Sequence, residues 1–452
     1  MNALDHTHEP AARSWLESAN AGGDFPLQNL PYAVFRRHGQ DEAWRGGVGI
    51  GDQIVDLSAL ARTPLLDGPV LTGARAASGP ALNALMALGP SVWRALRHAL
   101  FDALAATAPR ATVDALRACL VPQAEAEFTL PATIGDYTDF FTSYDHALNC
   151  ARVAAPQPEV APNFRWIPIG YHGRASTVGV SGQRIPRPWG QNKAPWEAPP
   201  PQFRPTQWLD YELEVAAWVG AGNARGEPVS LARAEQHLFG LGLLNDWSAR
   251  DTQIWEMVPL GPFLAKDFAT TVSPWVVTLD ALAPYRRPWA RAAAEPAPLG
   301  YLDDAHNRAG GAIDIQLEVW LETERSQREG SGAMRLSHTS FRHQYWTLAQ
   351  MVAHHTSGGC SLRPGDLIGS GTVSGPTPEE AGSLLELSRG GQAPVALPNG
   401  ERRAFLEDGD AVILRGACEA PGRVRIGFGE CRGLVLPAVA WPQAADEGPG
   451  HA

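Results

Sequence analysis

Lysine is nearly missing from this chain, with only Lys193 and Lys266 among the 37 basic residues. Arginine carries the remaining positive charge, and no basic tail or cluster is present. With a formal charge of −11 and a pI near 5.6, this argues against nucleic acid or an anionic membrane as partner, though a local basic pocket for a small anion stays possible. Long apolar runs are missing too: none approaches the ~20 residues of a membrane helix. The N-terminus, with Asp5, His6, His8 and Glu9, lacks the basic and apolar regions of a signal peptide, so a cytoplasmic location is expected. Cysteine is sparse. Cys119, Cys150, Cys360, Cys418 and Cys431 form no Cys-x-x-Cys pair, which leaves neither a disulfide framework nor a thiolate zinc site and predicts reduced, structural thiols.

What is abundant is turn chemistry. Forty-six glycines and 38 prolines in 452 residues predict a mostly β (α+β) fold with room for two or three domains. Residues 1–30 show no period and read as an irregular, exposed lead-in. Between Tyr32 and Leu57, short strand-like runs alternate with Gly and charged turns, as in a small barrel, with Asp52 in a hairpin turn. Residues 81–107 and 111–119 have helical spacing, broken at Gly89-Pro90. Nothing in residues 1–125 gathers chemically useful side chains, so this part is expected to be a small structural domain ahead of a second one over 126–452. Farther on, Pro186 to Pro205 reads as an extended loop and 283–311 as a surface insertion. Leu209 to Val219 is predicted as a strand, Thr347 to Ser357 as a helix, and Gly369 to Pro376 as a glycine-rich strand end whose amides face a ligand.

Three groups of residues have chemical content. An apolar run from Leu238 to Leu244 ends in Asn245-Asp246. A helix beginning there would align Asp246, Arg250 and Gln253 on one face, either as a surface ion pair or as a buried polar cluster. In the 209–219 strand Glu212 and Glu214 point together and begin a face that turns apolar at Ala216 and Trp218. If Asp139 and Asp246 converge on them, four carboxylates share a site, which stays partly protonated or holds a hard cation such as Ca²⁺ or Mg²⁺. Third, His146 is a candidate base, and Glu386, an acid in the apolar strand-like run 384–387, is a candidate carboxylate to orient it; the alternatives are a packed histidine and an outward-facing strand residue.

These residues lie in motifs that resemble the fumarylacetoacetate hydrolase family over nearly the whole chain. The motifs are Asp-Tyr-Thr-Asp-Phe (136–140) with His146, Gly-Tyr-His-Gly-Arg-Ala-Ser (170–176), Asp-Tyr-Glu-Leu-Glu (210–214), Asn-Asp-Trp-Ser-Ala-Arg-Asp (245–251), Pro-Leu-Gly-Pro-Phe-Leu (259–264), Thr-Thr-Val-Ser-Pro-Trp-Val-Val (270–277) and Ser-Gly-Thr-Val-Ser-Gly-Pro (370–376). The resemblance implies a homodimer with a small SH3-like N-terminal barrel and a larger β-rich catalytic domain. It further implies hydrolysis of a carbon–carbon bond of 4-fumarylacetoacetate to fumarate and acetoacetate, the last step of tyrosine and phenylalanine breakdown.

By motif, the resemblance assigns Asp139, Glu212, Glu214 and Asp246 to Ca²⁺, and Asp246, Lys266 and Thr270 to a Mg²⁺-associated site. It makes His146 the base, Glu386 its orienting carboxylate, and Arg250, Gln253 and Lys266 further catalytic groups. Around the substrate it places Tyr171, Arg250, Gln253, Gly371 and Thr372. Phe141 and Met257 stand where the family usually has substrate-contacting tyrosines, and Arg152 is nearest to an arginine expected some nine residues after the base. Those departures keep open a relative acting on another oxo acid, an acylpyruvase, decarboxylase or isomerase; a non-catalytic metal-stabilised binding protein is the alternative of a different class. Lys266, retained in an arginine-rich chain, is expected to have a pKa that burial can lower, so that it can give up a proton.

Overall fold

The short alternating segments after Pro31 assemble the first sheet of the computed structural model, which describes residues 4–154, 157–193 and 197–442. Its five antiparallel strands run in the order Leu120–Pro122, Gln53–Asp56, Arg45–Ile50, Tyr32–Arg37, Ala126–Thr129. Gly51, at φ 56°, turns the chain between two of them with Asp52 beside it, as the hairpin reading expects. The helix Pro90–Leu104 starts with proline in its first turn, behind Gly89. It buries Trp93, Leu96, Leu100 and Leu104, a stripe at helical spacing.

The rest of the chain is mostly β. An eight-stranded sheet runs Ile169–Gly173, Tyr137–Phe141, Leu367–Gly369, Leu213–Val219, Leu238–Asp246, Thr270–Val272, Val178–Val180, with Val277–Thr278 also paired to Leu238–Asp246. A five-stranded sheet runs Met334–Ser340, Gln316–Glu322, Ala411–Cys418, Ile426–Leu436, Gln183–Pro186. Leu213–Val219 is buried on both faces, so its side chains separate by parity rather than by polarity. Leu213, Val215, Ala217 and Val219 join one core with Leu317, Leu414 and Phe428 of the second sheet. Ala216 and Trp218 join the other, with Val48, Leu85 and Trp93 of the first 131 residues.

Four expectations need correction. The lead-in is irregular but not exposed: Thr7, His8, Gln28 and Asn29 are buried, and Arg97 donates to the carbonyls of Gln28 and Asn29. Main-chain carbonyls that need a donor draw it inward. Within 186–205, Trp189–Asn192 pairs with Gln202–Pro205, so the expected loop is a hairpin; residues 194–196 at its tip lie outside the described residues. The 283–311 segment is not a surface insertion, because Tyr285, Trp289 and Leu302 are buried there. The 209–219 strand is two strands, Leu209–Asp210 and Leu213–Val219, and Glu212 sits in the break. The helix expected at Thr347 is present as Leu348–Thr356, with Thr347 and Gln350 forming a capping box.

Trp93 joins the two parts of the chain: its ring meets Phe239 edge-on at 5.2 Å, its Nε1 donates to the Leu85 carbonyl, and a side chain at Gly220 would collide with it. Trp93→Ala should lower stability by about 3–5 kcal/mol, read as an earlier urea midpoint; an unchanged midpoint would show that the seam does not depend on it.

Candidate metal centre and active site

Strand register gathers three of the four acids, and Glu212 joins them from the break just before Leu213–Val219. Asp139 pairs with Gly369, Gly369 with Ala216, and Glu214, two residues from Ala216, lies on the same face. Glu214 pairs with Leu244, which puts Asp246 on that face, and Asp246 pairs with Thr270; Tyr171 pairs with Asp139 from the other side. Each of Asp139, Glu212, Glu214 and Asp246 offers an oxygen within 4.8 Å of the others, and all four are buried. Gly369 makes this approach possible, since a Cβ there would lie 2.6 Å from Asp139 Oδ1 and 2.9 Å from Glu214 Oε2. Gly371, at φ 77°, donates its amide to Glu214 Oε2 at 3.0 Å, so that amide serves a carboxylate rather than facing a ligand.

Two of the four acids have cationic partners and two do not. Lys266 Nζ lies 2.6 Å from both Glu212 Oε2 and Asp246 Oδ2. Arg250 reaches Glu212 Oε1 at 2.6 Å and Asp210 Oδ2 at 2.9 Å, and it donates to Gln253 Oε1. Thr270 and Tyr171 donate their hydroxyls to Asp246. Burial opposes ionisation of Glu212, but Lys266 and Arg250 outweigh it and hold its carboxyl well below the usual range. Burial and the neighbouring acids instead push Asp139 and Glu214 well above it. Among the described residues Asp139 Oδ1 and Glu214 Oε1 also have no hydrogen-bond partner. A metal ion fits these residues: hard oxygen donors converge, and one carboxylate oxygen on each of Asp139 and Glu214 is buried without a hydrogen bond.

His146 lies on the helix Tyr144–Ala154, which follows the strand bearing Asp139, so the two are joined by a strand-to-helix turn rather than by one helix. Its Nδ1 is 2.7 Å from Glu386 Oε2, and both residues are buried. Glu386 is not on a strand as expected but in the helical turn Leu384–Leu387, capped by Ser383. Asn149, Ser374 and Ser383 all donate to its carboxylate. Burial works against the imidazolium, but Cys150 and Glu386 outweigh it and hold the His146 pKa well above its ordinary value.

Other expected residues fall as follows. Asp246 ends a strand and the helix begins only at Arg250, so Asp246 does not share a helical face with Arg250 and Gln253; Glu212 links them, one oxygen on Arg250 and the other on Lys266, which also holds Asp246. The Phe141 ring packs edge-on to His146 at 5.3 Å, and Thr372 is buried. Met257 is exposed, as is Arg152, whose guanidinium donates to Asn149. Lys266 does not have the lowered pKa expected of it. Burial pulls it down, but Asp246 and Glu212 more than reverse this and keep the ammonium charged. Sequence inspection passed over Asp210, Asn149, Ser374, Ser383 and Cys150, whose Sγ lies 3.5 Å from His146 Nε2. Asp210 beside Glu212 and Ser374 within the 370–376 motif carried a signal; Asn149, Ser383 and Cys150 are ordinary polar residues whose role depends on contact.

Comparison with known proteins is consistent with this geometry. The model of the fumarylacetoacetate (FAA) hydrolase C-terminal region matches residues 137–435, and that of the fumarylacetoacetase N-terminal region matches residues 28–131. The chain belongs to the fumarylacetoacetate hydrolase family. Fumarylacetoacetase of Homo sapiens is 48% identical over 422 residues, covering 92% of this chain and 97% of that protein. The Oryza sativa subsp. japonica protein of the same name is 46% identical over 432 residues, covering 94% and 98%. The Caenorhabditis elegans one is 47% identical over 429 residues, covering 93% and 98%. A hydrolase of this family, mostly β and with an acidic cluster able to hold a metal ion, is therefore in hand.

For Asp139 and Glu214 the sign of the pKa shift sets a stability test. A carboxyl whose folded pKa exceeds its unfolded value favours unfolding as pH rises from about 4 through the raised value. Chelator-treated protein should melt earlier than metal-loaded protein, with a deficit that grows with pH across that interval. Glu214→Gln should weaken cation binding in calorimetric titration, and an unchanged isotherm would remove Glu214 from the metal site.

Proposed function

We propose that this hydrolase cleaves the carbon–carbon bond of 4-fumarylacetoacetate to fumarate and acetoacetate, the last step of tyrosine and phenylalanine catabolism. The observation that carries the reading is the buried His146–Glu386 pair at 2.7 Å in a chain that also presents the four-carboxylate cluster. Asp139, Glu212, Glu214 and Asp246 would hold Ca²⁺ or Mg²⁺, the cations suited to an all-oxygen donor set, with Lys266 and Thr270 as further contacts to Asp246. Such a cation supplies a Lewis acid that polarises a diketone oxygen.

The chain's own groups then have distinct tasks. In its deprotonated form, which the raised pKa moves to higher pH, His146 donates from Nδ1 to Glu386 and keeps Nε2 as the proton acceptor, and Glu386 stabilises the imidazolium once formed. The hydroxide of the deprotonated water adds to the carbonyl carbon of the fumaryl half. The carbon–carbon bond breaks, its electron pair stays on the acetoacetate carbon, and the imidazolium proton returns to that carbon. Lys266, Arg250 and Gln253 surround these events with fixed positive charge and an amide, which suits a leaving enolate. Tyr171, Gly371, Thr372, Phe141, Met257 and Arg152 are proposed to shape the substrate pocket.

Loss of fumarylacetoacetate absorbance, followed with and without EDTA, tests the assignment: turnover that chelation abolishes and Ca²⁺ or Mg²⁺ restores is expected. His146→Ala should cost at least ~10²-fold in kcat, and turnover within a few-fold of wild type would sink its role as base. Glu386→Gln removes a charge that favours the imidazolium, so the acid limb of kcat/KM should move to lower pH; a stationary limb would leave Glu386 as structure only.

A homodimer is proposed as well, supported by the apolar side chains of Trp255, Met257, Val258, Leu260, Phe263 and Leu264, all exposed beside Gln253 and Lys266. Sedimentation at the mass of a single chain would overturn it. Among the described residues no helix is long and apolar enough to cross a membrane, and the five cysteines are unpaired, which supports a cytoplasmic location testable by cell fractionation.

A further inference from the structure

The start of the described chain carries a second set of metal donors, of different chemistry from the first. His98 and Asp102 stand four residues apart on the helix Pro90–Leu104, so both project from one face. The turn His6–His8 lies across that face, with Asp5 as its N-cap. His6 Nε2 is 3.0 Å from Asp102 Oδ1, and His98 Nε2 is 2.7 Å from Asp5 Oδ2. The two imidazoles meet edge-on with centroids 4.8 Å apart. One donor atom from each of Asp5, His6 and His98 lies within 4.8 Å of the other two.

We infer that Asp5, His6 and His98, with Asp102 available as a fourth ligand, form a binding site for a borderline transition-metal ion such as Zn²⁺. Two imidazole nitrogens with one or two carboxylates are a donor set for Zn²⁺, not for the hard cations that suit the buried cluster of acids. Ligands around tetrahedral zinc stand about 3.3 Å apart for bonds of about 2.0–2.1 Å, so donors within 4.8 Å of one another need to close by up to about 1.5 Å. His6 and Asp102, half or more exposed, have the freedom to do so.

Asp5 is held for the task. It accepts from the Thr7 amide at 2.9 Å and the Thr7 hydroxyl at 2.7 Å, and Thr7 Oγ1 in turn accepts from the buried Arg97. Such outer contacts orient a ligating carboxylate before the ion arrives. His8 is not a ligand, because its Nε2 is committed to the Asp280 carbonyl at 2.7 Å. The bound ion would fasten residues 5–8 to the helix Pro90–Leu104 and, through Arg97, to the Gln28 and Asn29 carbonyls. This site is independent of the proposed reaction.

The test is calorimetric titration of the full chain with ZnCl₂ in excess Ca²⁺, which keeps the buried acids occupied. Wild type should take up Zn²⁺ and melt at higher temperature with it. His6→Ala and His98→Ala should each weaken that uptake at least ~10-fold, since loss of an outer-shell partner alone costs 10–100-fold. His38→Ala, altering an exposed histidine just past the strand Tyr32–Arg37, should not. Both site variants should keep fumarylacetoacetate turnover, which separates loss of the ion from loss of fold. Absence of Zn²⁺ uptake by wild type, or uptake unchanged in both variants, would overturn the site.

Discussion

Like charge confined to a small dry volume is the constraint on which the rest of this molecule depends. Two unit charges about 4 Å apart repel by about 4 kcal/mol at an effective dielectric of 20, so four buried carboxylates cannot all be ionised without compensation. Lys266 and Arg250 set two positive charges against the three carboxyls of Glu212, Asp246 and the adjoining Asp210, and hydroxyls from Thr270 and Tyr171 also donate to Asp246, whose pKa burial still raises. Asp139 and Glu214 remain, each with an oxygen that has no hydrogen-bond partner among the described residues. The two halves of the cluster therefore differ: one is held by ion pairs to Lys266 and Arg250, the other awaits a cation or keeps its protons.

Backbone geometry makes that concentration of charge possible. Asp139, Glu214 and Asp246 come from three strands whose register places them on one face, Glu212 joins them from the break before Leu213, and a glycine stands where any side chain would separate Asp139 from Glu214. On the same face, Ala216 and Trp218 are covered by the core that Val48, Leu85 and Trp93 share, so the N-terminal part seals the sheet beside the charged end. The dyad follows the same logic. Glu386 has hydrogen bonds from Asn149, Ser374 and Ser383 besides its contact with His146, which fixes a buried carboxylate in one orientation and the imidazole with it.

Much of the site was legible because its residues sit in long motifs whose spacing is local. The parity that sets Glu212 and Glu214 apart from Leu213, Val215 and Ala217 is visible in the strand itself, and the scarcity of lysine draws attention to Lys266. Secondary structure at the same residues was less legible. Asn245-Asp246 looks like a helix cap, yet Asp246 pairs with Thr270 in the sheet; Leu384–Leu387 looks like a strand, yet Ser383 caps it as a helical turn. In both cases a short apolar run carries no period long enough to choose, and packing decides.

The sequence by itself determined which residue types are available and on which face of a strand each points, because side-chain alternation is a property of a single extended segment. It also determined family membership, through motifs read without any contact. Only the tertiary structure decided which charges meet. That Lys266 lies between Glu212 and Asp246, and keeps its proton instead of giving it up, follows from two neighbours 54 and 20 residues away. Cys150 beside His146 Nε2, and Asp5 with His6 against His98, are likewise invisible along the chain. Protonation and ligation depend on distances between side chains, and those distances exist only once the chain has packed.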